Sequence, residues 1–179
     1  MQYVAAPRNH YQPPEIQKLL RKLEDPCRAV VLVAVSTGLR IGEILALRWK
    51  RIDQLRNTIE VAETYSNGEF GPPKTRSSRR TIPISTSLGE VFKRLRPQNC
   101  EPGGLALNPK NLYNRELAPA CDELGLPRIS WHSFRHTHAT LLHESGKSLK
   151  TAQLLLGHSD LETTPGVHPC NSRLAKSVP

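Results

Sequence analysis

Apolar positions recur at helical spacing almost from the start of the chain. After Pro13-Pro14, Ile16, Leu19, Leu20 and Leu23 fall at i, i+3, i+4 and i+7, which places them on one face of a helix. Asp25-Pro26 supplies an N-cap and a proline at the first helical position for a second helix, through Ala29 to Ser36. Gly38 is placed to stop that helix in a left-handed conformation. A third helix is predicted from about Ile41 to Leu47. Between about 50 and 85 the period changes. Thr58-Ile59-Glu60-Val61 and Arg80-Thr81-Ile82-Pro83-Ile84 alternate as half-buried strands do, and Arg51-Ile52-Asp53 is placed to add a short third strand. The intervening Ser66-Asn67-Gly68 and Gly71-Pro72-Pro73 are turn chemistry. The helical pattern then returns at Leu88 to Leu95, Lys110 to Leu124, Ser133 to Glu144 and Ser148 to Leu156, the last three ending at Gly125, Gly146 and Gly157. The expected fold class is α+β, mainly α, with a small antiparallel sheet that needs the helices to hold it.

A length of 179 residues fits one domain, and 37% hydrophobic content suffices for its core. Residues 1 to 12 are polar with little periodicity and read as a lead-in; the domain proper is expected over 13 to 179. No apolar run approaches the ~20 residues of a membrane span. Met1-Gln2-Tyr3-Val4 lacks the basic-then-apolar pattern of a signal peptide, so a cytoplasmic chain is expected. Cys27, Cys100, Cys121 and Cys170 are scattered without a C-x-x-C pair, which suggests free thiols.

Charge changes the picture more. Lys and Arg number 25 against 16 Asp and Glu, a formal net charge of +9. Lys74-Thr75-Arg76-Ser77-Ser78-Arg79-Arg80 places four cations in seven positions, and no acid occurs from Phe70 through Gly89. Arg48-Trp49-Lys50-Arg51 and Lys93-Arg94-Leu95-Arg96 are further clusters. Any one of them is explained by a solvated surface. Together they point to a phosphate-binding face, where counterion release makes cations the main source of affinity. They carry no base code.

Two segments are more specific. In Thr37-Gly38-Leu39-Arg40-Ile41-Gly42-Glu43-Ile44-Leu45-Ala46-Leu47 a glycine turn sets Arg40 at the entry of an apolar helix, with Glu43 one turn on to steady its guanidinium. An ordinary surface ion pair is the competing reading. In Trp131-His132-Ser133-Phe134-Arg135-His136-Thr137-His138 the spacing of His132 and Arg135 puts a titratable ring and a permanent cation on one helix face. His136 and His138 invite a zinc site, but the glutamate of H-E-x-x-H is missing and Arg135 adjoins His136, so no metal is expected. His158, in Leu154-Leu155-Leu156-Gly157-His158-Ser159-Asp160, follows a helix stop and by itself reads as structural.

T-G-L-R-I-G-E-I-L-A-L-R-W, H-S-F-R-H-T-H-A-T-L-L and L-L-G-H-S-D-L-E-T-T, in this order and spacing, resemble the catalytic domain of the tyrosine recombinases (phage integrases) from about Pro14 to Leu174. The resemblance implies a mainly helical domain with a small three-stranded antiparallel sheet. It implies a domain that cuts and rejoins duplex DNA through a 3′-phosphotyrosine, without metal or nucleotide cofactor, and that assembles as a multimer on DNA at a prokaryotic nucleoid. Arg40 and Arg135 would clamp the scissile phosphate, and His132 would assist proton transfer. His158 would bond a phosphate oxygen, and Lys74 would protonate the departing 5′ oxygen. Arg76, Arg79 and Arg80 would grip DNA. The residues suit these roles: phosphoryl transfer needs charge stabilisation on the equatorial oxygens and an acid for the leaving group.

The nucleophile does not stand where the resemblance calls for it. Tyr3, Tyr11, Tyr65 and Tyr113 all precede His132. In the family the tyrosine follows a Thr-Thr pair by two residues, with a histidine two further on. Here Thr163-Thr164 leads into Pro165-Gly166-Val167-His168-Pro169, and a tyrosine between Gly166 and Val167 would restore the pattern. A missing residue is therefore expected rather than a substitution. The alternative is a catalytically inactive DNA-binding homologue; a topoisomerase IB-like domain shares the chemistry but matches the motifs less well. The family's additional N-terminal core-binding domain is expected to be absent.

Overall fold

In the computed structural model, which describes residues 10–73, 79–95 and 108–146, the apolar stripes become the inner faces of helices. α1 (Pro13–Lys22) buries Ile16 and Leu19, with Leu23 buried just past its end. Its N-terminus is closed by Glu15, whose carboxylate accepts the Gln12 backbone N–H at 2.7 Å. α2 (Cys27–Thr37) is apolar around most of its circumference and buries Cys27, Val30, Val31, Val33, Ala34 and Thr37, as a helix at the centre of a fold does.

The start of α2 differs from the expected cap. Pro26 is itself the N-cap, and the Asp25 carboxylate accepts the Arg28 guanidinium at 2.6 Å instead of capping backbone. A charge-assisted side-chain bond has displaced the weaker backbone one. Gly38 ends α2 at φ +66°, as its position predicts. α3 (Ile41–Leu45) is shorter than expected: the Leu47 N–H reaches back only to Ile44 O, tightening the last turn, and a 3-10 turn follows at Trp49–Arg51.

The sheet is antiparallel, in the order β1 (Ile52–Asp53), β2 (Thr58–Val61), β5 (Arg80–Pro83). Ile59 faces Ile52 on one side and Ile82 on the other, and Ile59, Val61 and Ile82 are buried. Between them lies a second hairpin that the turn residues announced without their strands: β3 (Thr64–Ser66) and β4 (Glu69–Gly71). Asn67 and Gly68 both have positive φ, the mirror-image turn that matches strand twist. These strands are three residues each and show no alternation. They are held by the Tyr65–Phe70 ring pair, 5.0 Å between centroids, and by α3 packing on β3.

α4 (Thr86–Leu95) buries Leu88 and Phe92, the latter edge-on to Trp49. The helix expected over Lys110 to Leu124 is α5 (Pro109–Leu112), a π turn at Tyr113–Leu117, and α6 (Ala118–Glu123). Pro119 has no N–H for the Arg115 carbonyl, and the wider turn absorbs that gap. α7 (Trp131–Glu144) packs along α2 and contributes the buried Phe134. Tyr11, within the segment read as a lead-in, is 1% exposed; its hydroxyl donates to Pro127 O at 2.5 Å, and its N–H donates to Thr137 Oγ1 at 3.1 Å. Cys27 and Cys121 are buried free thiols. Among the described residues no helix is long and apolar enough to cross a membrane. Cys100, Cys170 and the helix expected at 148–156 lie outside the described residues.

Candidate functional site

The turn after α2 does two things at once. Its left-handed Gly38 lets the chain reverse, and the buried Leu39 anchors the reversal, so that Arg40 becomes the N-cap of α3 with extended backbone. The Arg40 N–H donates to Glu43 Oε2 at 2.8 Å, fixing the first turn. Its guanidinium, 44% exposed, stands 3.4 Å from Glu43 Oε1. Across the site, Arg135 projects from α7, 3% exposed, and donates to the Gly38 carbonyl at 2.7 Å. His132 lies one turn earlier on the same helix, exposed, its ring 4.7 Å from that of His136. Residues 40, 43, 132 and 135, far apart in sequence, are thus drawn together by the packing of α2 on α7.

Glu43 is 3% exposed and answers more than Arg40. Arg80, on β5, donates to Glu43 Oε1 at 3.0 Å and to Oε2 at 3.2 Å. Burial by itself would push the Glu43 carboxyl up. The hydrogen bonds and charge of Arg80, with those of Arg40, outweigh it and hold the group below the usual carboxylate range. Arg135 is pushed down to about 9, first by burial and then by the charge of Arg40, with Glu43 opposing; it remains a cation at neutral pH. Partial loss of water around His132, then the charges of Arg135 and Arg40, lower its pKa and favour the neutral ring. Arg40 and Arg80 contact one carboxylate and Arg135 lies close enough to feel its charge, and the excess positive charge suits a tetrahedral oxyanion.

The other cationic positions divide. Arg79 is exposed, 3.7 Å from Glu60. Arg80, grouped in sequence with the DNA-gripping cations, points inward. The signal was present: Arg80 and Ile82 are two apart on one strand, and the face that buries Ile82 also turns Arg80 to the inside. Arg48 bonds Glu63 at 2.6 Å and covers the Phe70 ring, and Arg51 bonds Glu60 at 2.6 Å. His138 is a core residue, paired through Nδ1 with the Val35 carbonyl at 2.7 Å. Among the described residues no group of three or more His, Cys, Asp or Glu is placed to hold a metal ion. Lys74, Arg76, His158 and the Gly166-Val167 junction lie outside the described residues.

The family model described as "Phage integrase family" matches residues 10–167. The tyrosine recombinase XerC-like protein of Caldanaerobacter subterraneus is 32% identical over 86% of this chain and 48% of its own. The chain spans about half the length of the curated relatives it matches. Among solved structures, the Tn1549 transposon integrase superposes with a TM-score of 0.71 at 22% identity, over 92% of this chain and 62% of that one. The catalytic domain of bacteriophage HP1 integrase superposes with a TM-score of 0.62 at 22% identity, over 88% of this chain and 85% of that domain. At such identities these likenesses concern the fold: helices around a small antiparallel sheet, as the periodicity predicts. With a family match over most of its length and a relative above 30% identity, the chain belongs to the phage integrase family.

Proposed function

We propose that residues 13–179 form the catalytic domain of a tyrosine-type site-specific recombinase, which cuts and rejoins duplex DNA through a 3′-phosphotyrosine. The observation that carries this reading is the bond from Arg135 to the Gly38 carbonyl, in the turn that leads to Arg40, with His132 one turn earlier on α7. Two planar cations are thereby held near one another by a fixed turn, which supports a role in pre-organised stabilisation of a phosphoryl transition state. The solved Tn1549 integrase is in complex with transposon right end DNA, which agrees with a duplex partner.

In this scheme Arg40 and Arg135 hold the equatorial oxygens, His132 assists proton transfer and phosphate binding, and His158 bonds a phosphate oxygen. A tyrosine oxygen, giving up its proton to His132, forms the new bond to phosphorus as the 5′ oxygen departs, taking its proton from Lys74. Arg76 and Arg79 grip the backbone nearby. The domain assembles as a multimer on DNA, in the cytoplasm at the nucleoid.

The test is a library of nicked suicide duplexes, on which cleavage traps a covalent adduct. A chain with tyrosine inserted between Gly166 and Val167 is expected to form the adduct. Salt-sensitive binding with no adduct in that chain would instead support the inactive DNA-binding homologue. Intact mass shows whether the natural chain already carries that residue, since it would be heavier by one tyrosine.

A further inference from the structure

The charge balance of the site is set by a residue that the proposed chemistry does not use. Glu43 lies between Arg40 and Arg80, and the two contacts are unequal. Arg80 meets the carboxylate with both terminal nitrogens, at 3.0 and 3.2 Å, in a pair whose side chains are 9% and 3% exposed. Arg40 reaches it with one nitrogen at 3.4 Å and keeps nearly half of its side chain in solvent. A buried two-pronged pair is strong and directional, whereas a long single contact near solvent is weak. Arg40 and Glu43 are i, i+3 neighbours on one helix, so a carboxylate without another partner would turn to Arg40 and neutralise it. The same carboxylate also accepts the Arg40 N–H, so its orientation determines where the root of that side chain points.

We propose that Arg80 is a positioning residue: by occupying the Glu43 carboxylate with its guanidinium fork, it leaves the Arg40 guanidinium available to a DNA phosphate. The inference rests on the phosphate-handling reading above. It moves Arg80 from the cations that touch DNA to those that act through another residue. The β5 strand supports this, because it turns Arg80 to the inner face with Ile82 and leaves Thr81 outside.

The experiment measures binding of the full chain to a short random-sequence duplex across a salt series, with thermal unfolding of each variant. Arg80→Gln frees the Glu43 carboxylate, and affinity is expected to fall about tenfold, with the salt slope reduced by about one phosphate contact. Arg80→Gln combined with Glu43→Gln removes the competing charge, and the amide oxygen introduced by the second substitution can still accept the Arg40 N–H. That double variant is expected to recover to within about threefold of the wild type, with the wild-type slope. It also serves if the single variant does not fold, since a neutral pair tolerates burial better than an orphaned carboxylate. A double variant as weak as the single one, or with a reduced slope, means that Arg80 grips phosphate itself and overturns the proposal. Lower melting temperatures with unchanged slopes throughout mean a purely structural role and also overturn it. A wild-type chain without salt-dependent binding overturns the DNA reading, and the inference with it.

Discussion

Arg135 donates a 2.7 Å hydrogen bond to the carbonyl oxygen of Gly38, a residue 97 positions earlier in the chain. The bond ties α7, which carries His132, to the turn that aims Arg40. It depends on Gly38 at φ +66°, where a Cβ is disfavoured. Gly38→Ala is expected to lower the unfolding free energy by about 1 kcal/mol or more in urea denaturation. Arg135→Ala is expected to retain most duplex affinity, because other cations supply it, while adduct formation in the tyrosine-containing chain is abolished. Normal cleavage by that variant would remove Arg135 from the clamp.

Gly42 sets how closely α3 approaches the β3–β4 hairpin. A Cβ there would stand 2.6 Å from Tyr65 O and 2.7 Å from Thr64 Oγ1. The first of these is backbone and cannot rotate away, so Gly42→Ala must push helix and hairpin apart. The expected cost is about 1–3 kcal/mol. DNA affinity should fall as well, because Arg40 and Glu43 ride on the displaced helix. Wild-type stability in this variant would show that the hairpin shifts freely.

His138 is 8% exposed, and burial followed by the charge of Arg135 lowers its pKa against the opposing bond to Val35 O. His132 and His136 are lowered too. A histidine with a depressed folded pKa binds fewer protons in the folded than in the unfolded chain once pH falls below its ordinary 6.5. Stability is therefore full above that pH and lost as pH falls through 6.5 and below. Each such histidine contributes up to about 1.4 kcal/mol per pH unit. Denaturation between pH 5 and 8 checks the sign, and stability that rises on acidification would refute it.

Arg79 is 68% exposed and only 3.7 Å from a carboxylate whose nearer partner is Arg51. Arg79→Ala is expected to leave stability within about 0.5 kcal/mol of the wild type. If it contacts DNA, it should reduce the salt slope of duplex binding by about 0.9. An unchanged slope would place Arg79 outside the interface.

Much of this protein was legible without coordinates. The i, i+3, i+7 stripe of Ile16, Leu19 and Leu23, the alternation around Ile59 and Ile82 and the stop at Gly38 depend on nearest-neighbour backbone geometry. Each element appears where that geometry places it. The β3–β4 strands were not legible, because three-residue strands have too little period and persist through contact with α3. The π turn before Pro119 was likewise hidden, since a helical stripe does not reveal a local change in hydrogen-bond register.

The site divides in the same way. Sequence alone determined which residue types are present: Arg40 at a helix entry, His132 and Arg135 one turn apart, and a surplus of cations. Spacing along one element is enough for that. Only the tertiary structure decided which charges meet. It brought Arg135 to Gly38, and it gave Glu43 to Arg80 rather than chiefly to Arg40. A carboxylate chooses its partner by burial and by the geometry of the donor fork, and both are properties of packed helices and strands rather than of order along the chain.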